Sequence, residues 1–146
     1  MITIINSVLI DCPLEEVFIY VSKYKNDAKW RKGVIEMLQF PDYNTFAGAT
    51  TIETIKFFGQ KYLISAEIYE YEKNRKVSFR TTDSLFNVSG SREVCRENNK
   101  TRFSYSLQIE LEGFYKLFSK LIKQSFEKRV KQDLIKLKHI LDENKS

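Results

Sequence analysis

The segment from residue 113 to residue 143 constrains the fold more than any other part of this 146-residue chain. Its apolar residues recur at steps of three and four, which places them on one face of an α-helix, while lysines occupy the opposite face. An isolated helix of this kind is marginal in water, so its apolar face needs another surface to cover. The apolar positions are Phe114, Leu117, Phe118, Leu121, Ile122, Phe126, Val130, Leu134, Leu137, Ile140 and Leu141.

The residues before this helix have the pattern of strands joined by short turns. The alternation is cleanest in 101–111, where Phe103, Tyr105 and Leu107 point to one side of a strand. Pro13 begins a short helix over 13–23, and a second one is expected at 28–32. Gly90 suggests a bulge in its strand. The predicted strands are 2–11, 34–40, 49–58, 61–72, 76–83, 86–96 and 101–111.

This order of elements predicts a single α+β domain over residues 1–146. Successive strands with short turns favour one antiparallel sheet, which curls because strands twist. The long C-terminal helix is the natural cover for one face of that sheet. We expect Phe118, Leu121, Ile122 and Phe126 to lie against the sheet, with the lysines of the same helix in water.

Catalytic and metal-binding motifs are sparse in the sequence. The chain has two cysteines, Cys12 and Cys95, and one histidine, His139, which is too few soft ligands for a zinc site. It contains neither a Gly-x-Ser-x-Gly nucleophile motif nor a glycine-rich phosphate loop. We therefore predict no catalytic residue, no metal and no cofactor.

The charge and the hydropathy pattern indicate location and partners. The first residues lack a basic signal region, and no apolar run reaches about 18 residues. The two cysteines are interpreted as free side chains in a reducing compartment. We therefore expect a cytoplasmic location without a transmembrane segment. The net charge of +5 is compatible with nucleic acid or an anionic membrane. A lysine-rich solvated surface explains it better, so nucleic acid is not the expected partner; a homodimer is left open.

Several stretches together resemble a known family. VLIDCPLEEVFIYVSKYKNDAKWRKGVIEM contains a strand, a helix opened by Pro13, a second short helix with Trp30, and Gly33-Val34 before the next strand. KNRKVSFRT, ENNKTRFSYSLQIEL and the terminal helix continue the likeness. The chain resembles, over nearly its whole length, the polyketide cyclase/dehydrase branch of the START and Bet v 1-like (SRPBCC) superfamily.

The resemblance implies a helix-grip fold, in which a curved antiparallel sheet wraps around the long C-terminal helix. It also implies a cavity between sheet and helix that binds sterols, lipids, plant hormones, polyketides or other apolar small molecules. Such a pocket should exceed roughly 300 Å³ and be mostly apolar with a few polar groups. The family has no common catalytic motif to carry over.

We predict the ligand-binding residues from strand alternation, helix spacing and this resemblance. Arg129 and Tyr105 are the candidate polar groups. Ser125, Arg129 and Asp133 share a helix face, although an ordinary surface ion pair between Arg129 and Asp133 is the simpler interpretation. Trp30 is either a lid at the cavity mouth or a plug in the core. The predicted set is Tyr62, Ile64, Phe79, Phe103, Tyr105, Leu107, Leu117, Leu121, Ile122 and Arg129.

Three functions are consistent with the sequence. The first is binding or carriage of an apolar or amphipathic small molecule. The second is a cofactor-free enzyme, similar to a cyclase or hydrolase, that uses the same cavity. The third is an interaction factor whose basic surface meets the ribosome or RNA. The fold alone does not choose among them.

Overall fold

The computed structural model describes residues 1–143, and within this range the chain forms seven β-strands, three α-helices and two 3-10 helices. In chain order they are β1 (Ile2–Ile10), α1 (Leu14–Ser22), a 3-10 helix (Tyr24–Asn26), α2 (Asp27–Trp30), β2 (Val34–Phe40), β3 (Thr50–Phe57), β4 (Gln60–Glu72), β5 (Lys76–Asp83), β6 (Asn87–Glu97), β7 (Lys100–Glu110), a second 3-10 helix (Gly113–Phe118) and α3 (Ser119–Glu143).

The strands of residues 1–143 form one antiparallel sheet in the order β1-β7-β6-β5-β4-β3-β2. From β2 to β7 each strand pairs with the next one along the chain, and β1 returns to pair with β7. Register shifts at Ser65/Ala66 and Ile68/Glu70 in β4 bend the sheet. The curved sheet and the long C-terminal helix confirm the predicted α+β helix-grip fold.

Gly90 leaves room for two side chains on neighbouring strands instead of forming the bulge suggested by the sequence. It pairs in regular register with Phe79 of β5 and Leu107 of β7. A Cβ atom at this position would lie 2.6 Å from the Phe79 ring and 2.9 Å from Leu107 Cδ2. The glycine therefore lets Phe79 and Leu107 approach each other across β6.

Buried apolar residues form two groups, one toward each end of the sheet. The larger group joins α1, Trp30, β1, β7 and α3, and it includes Val130, Leu134 and Leu137 of α3. The smaller group lies on β2 to β5 around Tyr24, and within the described residues it contains no side chain from α3. Helix α3 packs on β1 and α2, so it fills the larger group and leaves space beside the smaller one.

The first turns of the predicted long helix do not cover the sheet. Residues Gly113–Phe118 form a 3-10 helix, and Phe118 and Leu121 are 42% and 58% exposed. The expectation that these two side chains lie against the sheet was wrong, whereas Ile122 is buried and Phe126 is half-buried. A 3-10 helix turns about 120° per residue instead of 100°, so the periodicity used for the prediction does not apply at Phe118. Leu121 lies in α3, where it is exposed while its neighbour Ile122 is buried. Within residues 1–143, no helix is long and apolar enough to cross a bilayer.

Candidate ligand-binding cavity

A cavity lies between the sheet and α3, with walls drawn from both core groups. Its enclosed volume is about 120 Å³, and the atom-free space reaches about 1000 Å³ when the open side, which is shared with solvent, is included. The enclosed part is therefore smaller than the roughly 300 Å³ expected from the resemblance, and a drug-sized ligand would have to extend into the open side. The walls are mostly apolar. The charged side chains on them are Arg31, Glu53, Arg92, Arg129 and Asp133.

The exposure of the lining residues distinguishes a closed end from an open side. Tyr24, Arg92 and Tyr105 are each no more than 2% exposed and line the closed end. On the open side, Leu85 is 45% exposed and Phe126 is half-buried. A ligand would therefore enter beside the β5–β6 connection and the first half of α3.

Asp27, the first residue of α2, anchors a buried ion cluster behind the closed end. Its carboxylate accepts hydrogen bonds from Arg92 Nη1 at 2.9 Å, Arg92 Nη2 at 2.6 Å and Arg31 Nη1 at 3.0 Å. Arg31 also forms an ion pair with Glu53 of β3. Arg92 Nη1 donates to the carbonyl of Val21 at 2.8 Å. One side chain from β6 therefore holds the end of α1 and the start of α2 against the sheet.

Arg92 is enclosed by aromatic rings as well as by its carboxylate partner. Its guanidinium carbon lies 4.1 Å from the ring centre of Tyr24, 5.1 Å from that of Trp30 and 5.2 Å from that of Tyr105. Burial lowers the pKa of Arg92, but the Asp27 carboxylate outweighs this effect and holds the pKa above its usual value. Arg92 therefore stays charged, with cation–π contacts on the sides that Asp27 leaves free.

Arg129 and Asp133 both line the cavity and both bind the backbone of Lys32. Asp133 Oδ1 accepts from the Lys32 N–H at 2.8 Å, and Arg129 Nη1 donates to the Lys32 carbonyl at 3.3 Å. The Arg129 guanidinium also lies over the ring of Phe57, 4.5 Å from its centre. The simpler interpretation of this pair, an ordinary surface ion pair, was wrong because Asp133 is only 4% exposed.

Burial shifts the pKa of both side chains in the direction that favours the neutral form. It raises the pKa of Asp133 to about 6, against the opposing effects of the Lys32 N–H, Arg31 and Arg129. It lowers the pKa of Arg129, an effect that Asp133 partly offsets. The cavity wall therefore contains a carboxyl group that changes charge near pH 6.

Asp133→Asn should make stability less dependent on pH. The raised pKa means that folded Asp133 keeps its proton up to about pH 6, whereas the unfolded chain releases it near 3.8. The contribution of this group to stability is thus present below about pH 4 and is lost as pH rises to about 6. Relative to wild type, the variant should gain on the order of 2–3 kcal/mol between pH 4 and pH 8. Urea unfolding of both proteins at the two pH values measures this gain. The same difference in stability between variant and wild type at pH 4 and at pH 8 would contradict the prediction.

Six of the ten predicted ligand-binding residues line the cavity: Tyr62, Ile64, Phe79, Tyr105, Leu107 and Arg129. Leu117 and Leu121 do not, because they are 79% and 58% exposed on the N-terminal turns of the long helical segment. Ile122 is buried in the larger core group. Phe103 is also placed in that group, where it packs edge-on against Trp30 at 6.2 Å between ring centres. Trp30 is fully buried, so it is a plug and not a lid.

The sequence prediction missed the charged residues at the closed end. Arg92 lies in the inward-facing phase of β6, between the buried Gly90 and Val94, and Glu53 lies in the inward phase of β3, between Thr51 and Ile55. A charged side chain in an inward phase needs a buried partner. This signal was present in the strand alternation, although it does not identify Asp27 as the partner of Arg92.

The described residues offer little nucleophilic or metal chemistry. Burial and the neighbouring Glu16 carboxylate raise the pKa of the Cys12 thiol to about 12, so this cysteine is protonated at neutral pH. His139 is exposed and lies 3.8 Å from Glu143, near the end of α3. Within residues 1–143, no three His, Cys, Asp or Glu side chains are grouped to hold a metal ion.

Solved structures show the same fold. The protein TTHA0849 of Thermus thermophilus superposes with a TM-score of 0.84 over 99% of both chains at 19% identity. A START superfamily protein from Mycobacterium smegmatis gives a TM-score of 0.79 at 12% identity, covering 98% of this chain and 99% of that one. The di-domain ARO/CYC protein StfQ, from the steffimycin biosynthetic pathway, gives 0.79 at 6% identity over 98% of this chain and 51% of its own.

Sequence comparison gives the family. No curated protein sequence matches the chain. The family described as polyketide cyclase / dehydrase and lipid transport matches residues 1–142, which is almost the whole chain and contains every strand and charged cavity residue described above. The chain therefore belongs to the polyketide cyclase / dehydrase and lipid transport family.

Proposed function

We propose that this protein binds and carries an amphipathic small molecule in the cavity between the sheet and α3. The observation that carries the proposal is the cavity itself, which is mostly apolar and has its charged groups confined to a few positions. A packed core would leave no such space. Membership in a family that includes lipid transport supports the same conclusion.

The hydrogen bonds of the charged groups indicate where the polar part of the ligand binds. Arg31 and Arg92 are already paired with Asp27 and Glu53. Arg129 has one 3.3 Å hydrogen bond to a neutral carbonyl, although a guanidinium carries five N–H donors. A carboxylate or carbonyl oxygen on the ligand would use these donors, while the rest of the molecule contacts residues such as Ile64 and Leu107.

Blocking the cavity tests this function. Ile64→Trp fills the space with a larger side chain, whereas Leu63→Trp places the same side chain on the opposite face of β4, where Leu63 is 69% exposed. Mass spectrometry of an organic extract of the purified protein, and thermal shift with fatty acids, sterols and flavonoids, report on binding. Wild type and Leu63→Trp should bind a ligand and Ile64→Trp should not. The proposal fails if no extract or panel compound binds wild type, or if both variants bind equally.

Arg129→Gln tests the orientation of the ligand. The variant removes the charge that faces the cavity, so we expect affinity for acidic compounds to fall about tenfold, the loss of one charge-assisted hydrogen bond of about 1.5 kcal/mol. Affinity for neutral compounds of the same size should change little. Lys128→Gln is the matched control, because Lys128 is the exposed neighbour on the same helix. Equal losses for acidic and neutral compounds would contradict this orientation.

A second function, proton transfer on the bound molecule, is favoured by one observation. Asp133 lines the cavity with a pKa of about 6, which suits a group that accepts and releases a proton near neutral pH. Such a group could remove a proton next to a carbonyl during cyclisation of a ketone-rich substrate. Asp133→Asn should then abolish turnover of such a compound while leaving its binding measurable. Unchanged turnover in the variant would exclude this role for Asp133.

A further inference from the structure

The segment that joins β7 to α3 exposes a group of large apolar side chains. Phe114 is 68% exposed, Leu117 79%, Phe118 42% and Leu121 58%. We call these four residues the apolar patch. Phe114 and Phe118 pack edge-on against each other at 5.2 Å between ring centres, so their rings form one apolar surface. Contiguous exposed apolar surface of this kind marks an interaction site.

Lysines flank the patch, and the exposed acidic residues Glu110 and Glu112 precede it in the chain. Residues 113–123 read GFYKLFSKLIK and contain Lys116, Lys120 and Lys123 but no aspartate or glutamate. All three lysines are exposed. Lys123 lies 3.8 Å from Glu127, with both side chains about half exposed, so this pair only partly offsets the charge. The segment therefore combines an apolar side with a cationic side.

The apolar patch continues to the open side of the cavity. Tyr115, within the same segment, packs edge-on against the cavity-lining Phe86 at 5.1 Å. Further along the helix, Phe126 packs against Phe57 at 5.3 Å, and both line the cavity. Beyond Phe57, the β3–β4 turn reads KFFGQK and exposes 68% of Phe58 between two exposed lysines. Both apolar, lysine-flanked segments thus adjoin the cavity.

We propose that the apolar patch docks onto the surface of an anionic phospholipid bilayer, with Leu117 and Phe118 in the interfacial region and Lys116 and Lys120 at the headgroups. Aromatic and leucine side chains beside lysines are the composition of interfacial amphipathic segments. The lysines attract the negative leaflet. This docking would present the open side of the cavity to the membrane, although the proposal rests on the surface residues alone and does not depend on the proposed cavity ligand.

The charge pattern favours a membrane over two other partners. In a symmetric dimer the same patch would face itself, which would bring the lysines of two copies together without acidic partners in residues 113–123. A nucleic acid would use the lysines and could stack on the rings, but it offers no apolar surface for Leu117 and Leu121. An anionic bilayer uses both the charged and the aliphatic groups.

Sedimentation with ligand-free vesicles tests the proposal. Wild type should bind phosphatidylcholine vesicles containing about one-third phosphatidylglycerol, bind pure phosphatidylcholine vesicles more weakly, and lose affinity as salt is added. Leu117→Ser with Leu121→Ser should lower the partition coefficient at least about tenfold. Lys116→Gln with Lys120→Gln should lower it about fivefold per lysine on anionic vesicles.

Variants further along α3 are the matched controls. Ile135 is 53% exposed, a fraction similar to the 58% of Leu121, and Lys131 and Lys136 are also exposed. Ile135→Ser, and Lys131→Gln with Lys136→Gln, should leave vesicle binding within about twofold. Circular dichroism should show that all variants are folded. Ile64→Trp should keep vesicle binding, which separates failure of this proposal from failure of the proposed cavity function.

Three results would overturn the proposal. The first is absence of wild-type binding to anionic vesicles at low salt. The second is equal loss of binding in the patch variants and the controls. The third is that Leu117→Ser with Leu121→Ser dissociates a wild-type dimer in analytical ultracentrifugation, or removes RNA binding, without changing vesicle binding. That last outcome would assign the apolar patch to a second copy of the chain or to RNA.

Discussion

Asp27→Ala should lower the free energy of unfolding by about 3–5 kcal/mol, the loss expected when one member of a buried ion pair is removed. Arg92 is 1% exposed and donates two hydrogen bonds to the Asp27 carboxylate, at 2.6 Å and 2.9 Å. Without that carboxylate the guanidinium stays buried with only the Val21 carbonyl and aromatic rings around it. Urea unfolding followed by circular dichroism measures the change.

Glu67→Ala is the matched control for this prediction. Glu67 also accepts a 2.6 Å hydrogen bond from an arginine, Arg80, but that arginine side chain is 59% exposed. Since water replaces the lost partner, the control should lose less than about 1 kcal/mol. The double variant Asp27→Leu with Arg92→Met should recover much of the loss, because it leaves no unpaired buried charge. Similar losses for Asp27→Ala and Glu67→Ala would show that the cluster does not hold the helices on the sheet.

The sequence predicts the sheet well because the signals that determine it are local. In β7 the alternation of Phe103, Tyr105 and Leu107 with polar residues matches the buried face. Short turns between consecutive strands leave little choice of pairing partner from β2 to β7. The pairing of β1 with β7 is different, since about a hundred residues separate partners such as Ile2 and Ile109, and the sequence did not predict it.

The charged residues of the cavity depend on contacts that no local pattern contains. Asp27 and Arg92 are 65 positions apart, and Lys32 and Asp133 are 101 positions apart. In the sequence, Asp27 directly precedes the short helix predicted at 28–32, and Arg92 is one polar residue in a predicted strand. Only the folded chain brings the end of α1, the start of α2 and the middle of β6 to one place. The cavity lining from Tyr62, Ile64 and Phe79 was easier to predict, because strand alternation already places these side chains on one face.

The long helix shows a different limit. Periodicity identifies which residues share a face, but it does not say what that face contacts. Leu121 and Leu137 both belong to the apolar positions of the segment, yet Leu121 is 58% exposed and Leu137 is 0% exposed. The C-terminal part of α3 packs into the larger core group, whereas Leu121 is not part of that group, although its neighbour Ile122 is.

Leu137→Ala should therefore lower the free energy of unfolding by about 2–5 kcal/mol, and Leu121→Ala by less than about 1 kcal/mol. The two substitutions remove the same atoms from the same helix, so helix propensity cancels and the difference reports burial. Leu137 is enclosed by the larger core group, and its removal leaves a cavity that the surrounding side chains fill only in part. Parallel denaturation series measure both values. If Leu121→Ala were as destabilising as Leu137→Ala, the N-terminal turns of the helix would cover the sheet in solution, and the apolar patch would not be free to bind a membrane.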